Sequence, residues 1–130
     1  MEIEKIFKNL ILIDFGVLIL IVISSMYQPE EITNIYDALN DGLLSNFENI
    51  SRIASLGLFF LYLITLNLLY RFISYGKPLY LLLIISGLLF NYLSGPVIHT
   101  PFGGLLDQIG GIVSGAILIL LYYSPIKNNF

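Results

Sequence analysis

Two groups of polar side chains stand out in an otherwise apolar chain as able to do chemistry. The first is Arg52, Asn91, His99, Asp107 and Gln108. A guanidinium, an imidazole, a carboxylate and two amides at one depth could bind an ion, a lipid head group, a quinone or a small solute. The second is Asp14 with Asn67, a carboxylate and an amide that could share a proton or a cation in a small transporter.

Each group also has a structural explanation. Thr100 and Pro101 are ordinary residues for the start of a helix, and the dipole of that helix favours the negative charge of Asp107 near its beginning. On that account Asp107 pairs with Arg52 and His99 is a turn residue. Asp14 and Asn67 would likewise be satisfied by one interhelical hydrogen bond of about 1 kcal/mol. The structural account is preferred for both groups.

Enzyme chemistry finds little support. The chain has one histidine, no cysteine, and none of the HExxH, GxSxG or phosphate-loop spacings that place a nucleophile by its base or build a metal site. No catalytic residue, metal site or cofactor is assigned, and haem held by two histidines is excluded. A net charge of -3 is not the footprint of a nucleic-acid partner.

The elements that must position these residues follow from composition. Of 130 residues, 57% are hydrophobic and only 12% charged, against roughly a quarter charged in soluble domains. The mean hydropathy is +0.87. Charged residues leave four long gaps, which predict membrane spans near 9–27, 53–70, 79–95 and 104–123, each close to the roughly 20 residues a bilayer requires. Barrel strands would alternate polar and apolar residues, and these runs do not. The expected class is therefore an all-α integral membrane protein, a single domain over residues 1–130 built as a four-transmembrane-helix bundle.

Residues 1–25 are read as a true first span, because Asp14 interrupts the apolar run of a signal peptide and Ile23 is a poor cleavage-site residue. With both termini cytoplasmic, Lys5, Lys8, Arg71, Lys77 and Lys127 lie inside and Arg52 alone outside, which favours an N-in/C-in orientation. The expected location is the inner or plasma membrane of a prokaryote.

The outer loop, residues 28–51, carries Ile32, Ile35, Tyr36 and Leu39 at helical spacing after Pro29 and before Gly42. This predicts a short amphipathic helix docked on the bundle. Ser45 and Glu48 form a capping box at the start of the second helix, and Asn49 opens a glycosylation sequon inside that helix. Gly76 is expected to stop that helix and Pro78 to open the third. Tyr70, Tyr75 and Tyr80 are placed in an inner aromatic belt with Tyr122 and Tyr123, and Tyr92 and Phe102 in an outer one.

Small residues supply the packing surfaces. Gly87, Asn91, Ser94 and Gly95 share one face of the third span, and Gly103, Gly104, Asp107, Gln108, Gly110, Gly111, Ser114 and Gly115 fall in a sector of about 160° on the fourth. Gly111 and Gly115 form a GxxxG motif, which lets backbones approach where lipid offers no hydrophobic drive for pairing. Contact with the third helix is preferred to self-association.

Packing features are abundant and chemical ones sparse. The expected function is thus a non-catalytic accessory or assembly subunit, or a homo-oligomer, whose partners are the lipid bilayer and other membrane subunits or itself. The alternatives are a small-solute or ion transporter or channel using Asp14 and Asp107, and a lipid- or quinone-binding protein using the outer group.

Overall fold

A computed structural model describes residues 2–27, 29–32, 34–35, 45–93 and 100–130, with the backbone alone at 45–52 and 93. The described residues are almost entirely helical. The four long helices are α1 (Glu2–Met26), α2 (Ser45–Tyr70), α3 (Gly76–Leu93) and α4 (Pro101–Tyr123), and a 3₁₀ helix, Pro125–Asn129, closes the chain. By length and hydropathy α1, α4 and the Ile53–Tyr70 part of α2 can each cross a membrane, and α3 is a shorter apolar helix. Residues 30–32 and 34–35 are also helical, after Pro29 as expected. The rest of the amphipathic helix, the capping-box side chains and the sequon lie outside the described residues.

Local signals set the helix ends. α1 begins well before the apolar run, at Glu2, because Glu2 and Glu4 in its first turn complement the helix dipole. At the start of α4 the Thr100 hydroxyl accepts a hydrogen bond from the Gly103 N–H at 3.0 Å, and Pro101 fills the first helical position.

The turn between α2 and α3 departs from expectation. Phe72, not Gly76, takes the left-handed conformation that ends α2, with φ of 55°. The Ile73 N–H donates to Leu68 O and the Phe72 N–H to Leu69 O, at 2.9 and 3.0 Å, the pattern of a Schellman cap. A phenylalanine there carries a steric penalty that glycine would avoid. Its ring offsets the cost by stacking on Phe7 at 5.8 Å between centroids and meeting Phe130 edge-on at 5.3 Å. Gly76 is instead the first residue of α3, where it lies against α2. A Cβ there would come 3.0 Å from Leu69 Cδ2, 3.2 Å from Leu69 N and 3.3 Å from the Leu68 carbonyl carbon.

The principal pairings are α1 with α4, α2 with α3, α1 with α2, and the 3₁₀ helix against α4. The start of α1, the end of α2, the start of α3 and the end of α4 meet at one end of the bundle. Phe7, Phe72 and Phe130 seal that end, and Ile126 is buried beneath them. Lys77 Nζ donates to Lys127 O at 2.6 Å, Asn129 Nδ2 to Glu4 Oε1 at 2.7 Å, and Tyr122 Oη to Lys77 O at 3.3 Å. The core continues inward through Ile11, Leu66, Leu69, Tyr80, Val113, Ile117 and Leu121.

The α3–α4 hairpin expected to pack through glycines is replaced by an α1–α4 pair. A Cβ added at Gly110 would lie 3.6 Å from Val17 Cγ1, whereas one added at Gly87, Gly111 or Gly115 would meet nothing within 4 Å. The physical reason is rotation: Gly110 and Ser114 form one row, spaced by four residues, that faces α1, and Gly111 and Gly115 form the next row about 100° around the helix. Gly104 is half-buried in the first turn of α4.

Two glycines should respond to alanine with opposite signs. Gly76→Ala forces a Cβ into α2 backbone and is expected to destabilise the fold by about 1–3 kcal/mol. Gly57→Ala, in open space on α2, should be neutral or stabilising by up to about 1 kcal/mol. Reversible unfolding in mixed detergent micelles measures both.

Candidate functional site

Asp14 is the midpoint of α1, with twelve residues of the helix on either side. It lies on the buried stripe Phe7, Ile11, Asp14 and Val17 and is 4% exposed. A carboxylate so enclosed in an apolar bundle must find its hydrogen-bond partners within the protein. It finds one on each of the other three helices. Tyr62 Oη of α2 donates to Oδ2 at 2.5 Å, Tyr80 Oη of α3 donates to Oδ2 at 3.4 Å, and Ser114 Oγ of α4 donates to Oδ1 at 3.3 Å.

The distances rank these contacts. The Tyr62 bond has the length of a charge-assisted hydroxyl–carboxylate bond, whereas 3.3–3.4 Å is long for an O–H donor and correspondingly weak. The Tyr62 hydroxyl also lies 3.3 Å from that of Tyr80 and 3.4 Å from that of Ser114, so each hydroxyl proton has a choice of acceptors. The result is a closed polar node of four side chains. Its members can hold a proton and pass it among themselves, or lock four helices in register.

Packing explains why the node forms here. Tyr62 and Tyr80 approach with ring centroids 5.8 Å apart, and Tyr80 is fully buried. Tyr80 therefore belongs to the core and not to the inner aromatic belt. Tyr70, Tyr75, Tyr92, Phe102, Tyr122 and Tyr123 are exposed. Elsewhere in the core Thr65 Oγ1 donates to Leu61 O, and Ser124 Oγ donates to Leu120 O while accepting from the Ile126 N–H. Among the described residues no buried side-chain nitrogen or oxygen lacks a partner.

The expected pairing of Asp14 with Asn67 is not made. Asn67 is exposed on α2, about 140° around the helix from Tyr62, so it turns away from α1 when Tyr62 turns toward it. Ser114, expected as a packing residue, is a hydrogen-bond donor to the carboxylate. Sequence reasoning does not single out Tyr62 or place Tyr80 in the core, although a tyrosine in mid-span is itself a signal, because its hydroxyl needs an acceptor in hydrocarbon.

The outer group is described in part. Asn91 near the end of α3, and Asp107 and Gln108 near the start of α4, are exposed at the same end of the bundle. His99 and the Arg52 side chain lie outside the described residues. Among the described residues no cluster of three His, Cys, Asp or Glu side chains could hold a metal. Comparison with protein-family models, curated proteins and solved structures gives no match.

Removing members of the node should rank as their distances do. Tyr62→Phe is expected to cost about 1.5 kcal/mol, Tyr80→Phe and Ser114→Ala about 0.6 kcal/mol each, and Asp14→Ala about 2–3 kcal/mol. Combined variants should be non-additive, because all four groups share one network. Unfolding free energies in micelles or bicelles test the order.

Proposed function

We propose that this is a small polytopic membrane protein whose four helices cross the bilayer with both termini cytoplasmic, and that it acts by helix–helix packing as a homo-oligomer or an accessory subunit. The orientation is supported by Lys5, Lys8, Arg71, Lys77 and Lys127, which belong to the helix ends that meet at one end of the bundle. With 18 residues, α3 is about 27 Å long, near the thickness of a bilayer core.

The observation that carries the reading is the division of small residues on α4. One row, Gly110 and Ser114, is used within the chain, and the adjacent row, Gly111 and Gly115, faces open space. A bare GxxxG row on a membrane helix is a surface onto which a second backbone can pack closely, and two such rows are self-complementary about a two-fold axis. The chemically capable groups of the node, by contrast, are turned inward and engaged with one another. A second copy of the chain is the simplest occupant.

Gly111→Leu and Gly115→Leu should each weaken association about tenfold in bilayers while leaving the helical content and unfolding midpoint unchanged. Energy transfer between labelled copies, diluted in lipid, measures it. Wild-type protein that stayed monomeric and captured no other chain by crosslinking in native membranes would overturn the reading.

The Asp14 node favours one alternative, a small transporter in which this carboxylate takes up and releases a proton through the neighbouring hydroxyls. In reconstituted vesicles, proton flux above the lipid background that is lost in Asp14→Asn would support it, and flux unchanged by that substitution would remove Asp14 from any pathway.

A further inference from the structure

A second polar feature lies outside the node and outside the α4 surface. Glu4, Lys5, Lys8, Asn9 and Leu12 of α1 and Tyr70 of α2 line an open groove of about 300 Å³ where the two helices meet at the basic end of the bundle. Lys8 is fixed in its wall. Its ammonium sits over the ring of Tyr70 at 5.1 Å and that of Phe72 at 5.2 Å, two cation–π contacts that hold the charge at the groove and away from free solution. Lys5 and Asn9 are exposed beside it. The one acid of the lining, Glu4, accepts a hydrogen bond at Oε1 from Asn129 Nδ2.

Below the charges the same face becomes apolar. At 100° per residue Lys5, Leu12, Gly16, Ile19 and Ile23 fall within about 40° of one line along α1. Leu12, Ile19 and Ile23 are exposed, and a Cβ added at Gly16 would meet nothing within 4 Å, so the line carries a shallow furrow one turn below Leu12. Two positive charges and an amide against the one carboxylate of Glu4 leave the helix end net positive, and with an apolar furrow running from it toward mid-helix they match a molecule with an anionic head and a hydrocarbon tail.

We propose that this groove is a binding site for an anionic phospholipid. The head-group phosphate lies between Lys5, Lys8 and Asn9 with Tyr70 at its edge, and one acyl chain runs along Leu12, Gly16 and Ile19. The site rests on the membrane reading of the helices and is independent of the association proposed for α4. It selects by charge, since a zwitterionic lipid offers the same tail and phosphate together with a cation that the lysines repel.

The test reconstitutes the full-length protein in phosphatidylcholine vesicles containing a trace of spin-labelled phosphatidylglycerol or spin-labelled phosphatidylcholine and compares the motionally restricted fractions. The wild type should restrict phosphatidylglycerol preferentially. Lys5→Gln and Lys8→Gln should each lower that selectivity about fivefold, and Lys127→Gln, at the same end but outside the groove, should leave it unchanged. Because Lys8 also braces two rings, Lys5→Gln carries the result if Lys8→Gln disturbs the fold. Excess inorganic phosphate should have no more effect than chloride of equal ionic strength. Equal restriction of the two lipids, a Lys127→Gln effect as large as that of Lys5→Gln, or displacement by free phosphate beyond the chloride effect would each overturn the proposal.

Discussion

Asp14 is buried among apolar side chains, so its carboxylate must be satisfied by its own protein, and the way it is satisfied organises the described structure. Each of the other three helices contributes a hydroxyl to this side chain: Tyr62 from α2, Tyr80 from α3 and Ser114 from α4. In lipid the apolar faces of helices have no hydrophobic reason to prefer one another over acyl chains, and a shared acceptor supplies the preference that burial would supply in water. Slipping or rotating any one helix would withdraw its hydroxyl from the acceptor. The node is thus a register device whether or not it also carries protons.

The basic end of the bundle uses different physics. Phe7, Phe72 and Phe130 come from three separate segments and pack ring against ring, and Lys8 and Lys77 lie over the rings of Phe72 and Phe130. This arrangement accounts for a phenylalanine in a left-handed conformation that glycine would adopt with less strain. It also gives the 3₁₀ helix a role, because its Ile126 fills the space under the rings and its Asn129 reaches Glu4.

Node and cap together engage the polar and aromatic groups that bind the helices to one another, and the outer surfaces are left simple. The row of Gly111 and Gly115 on α4 and the furrow at Gly16 on α1 are both places where a missing side chain leaves room against the helix. They differ in what flanks them: the α4 row runs from the exposed Asp107 at its outer end to the apolar Ile112 and Ile119, and the α1 furrow ends at Glu4, Lys5 and Lys8.

Local properties of the sequence were sufficient for the all-helical build, the apolar helices and the Thr100–Pro101 start of α4. Span length, charge spacing and caps are read within a dozen residues and do not depend on what lies alongside. The importance of Asp14 was legible for the same reason, since a carboxylate in an apolar run is costly wherever it faces. Its partners were not. Periodicity tells which residues share a face of one helix and is silent on which neighbour that face meets, so Asn67 and Tyr62 were equally available until α2 took its rotation. The same degeneracy hid the choice between the Gly110–Ser114 and Gly111–Gly115 rows, which differ by about 100° on one helix. Only the tertiary structure decided it, because rotation about a helix axis is set by the whole set of contacts, here by the single acceptor that three hydroxyls must reach at once.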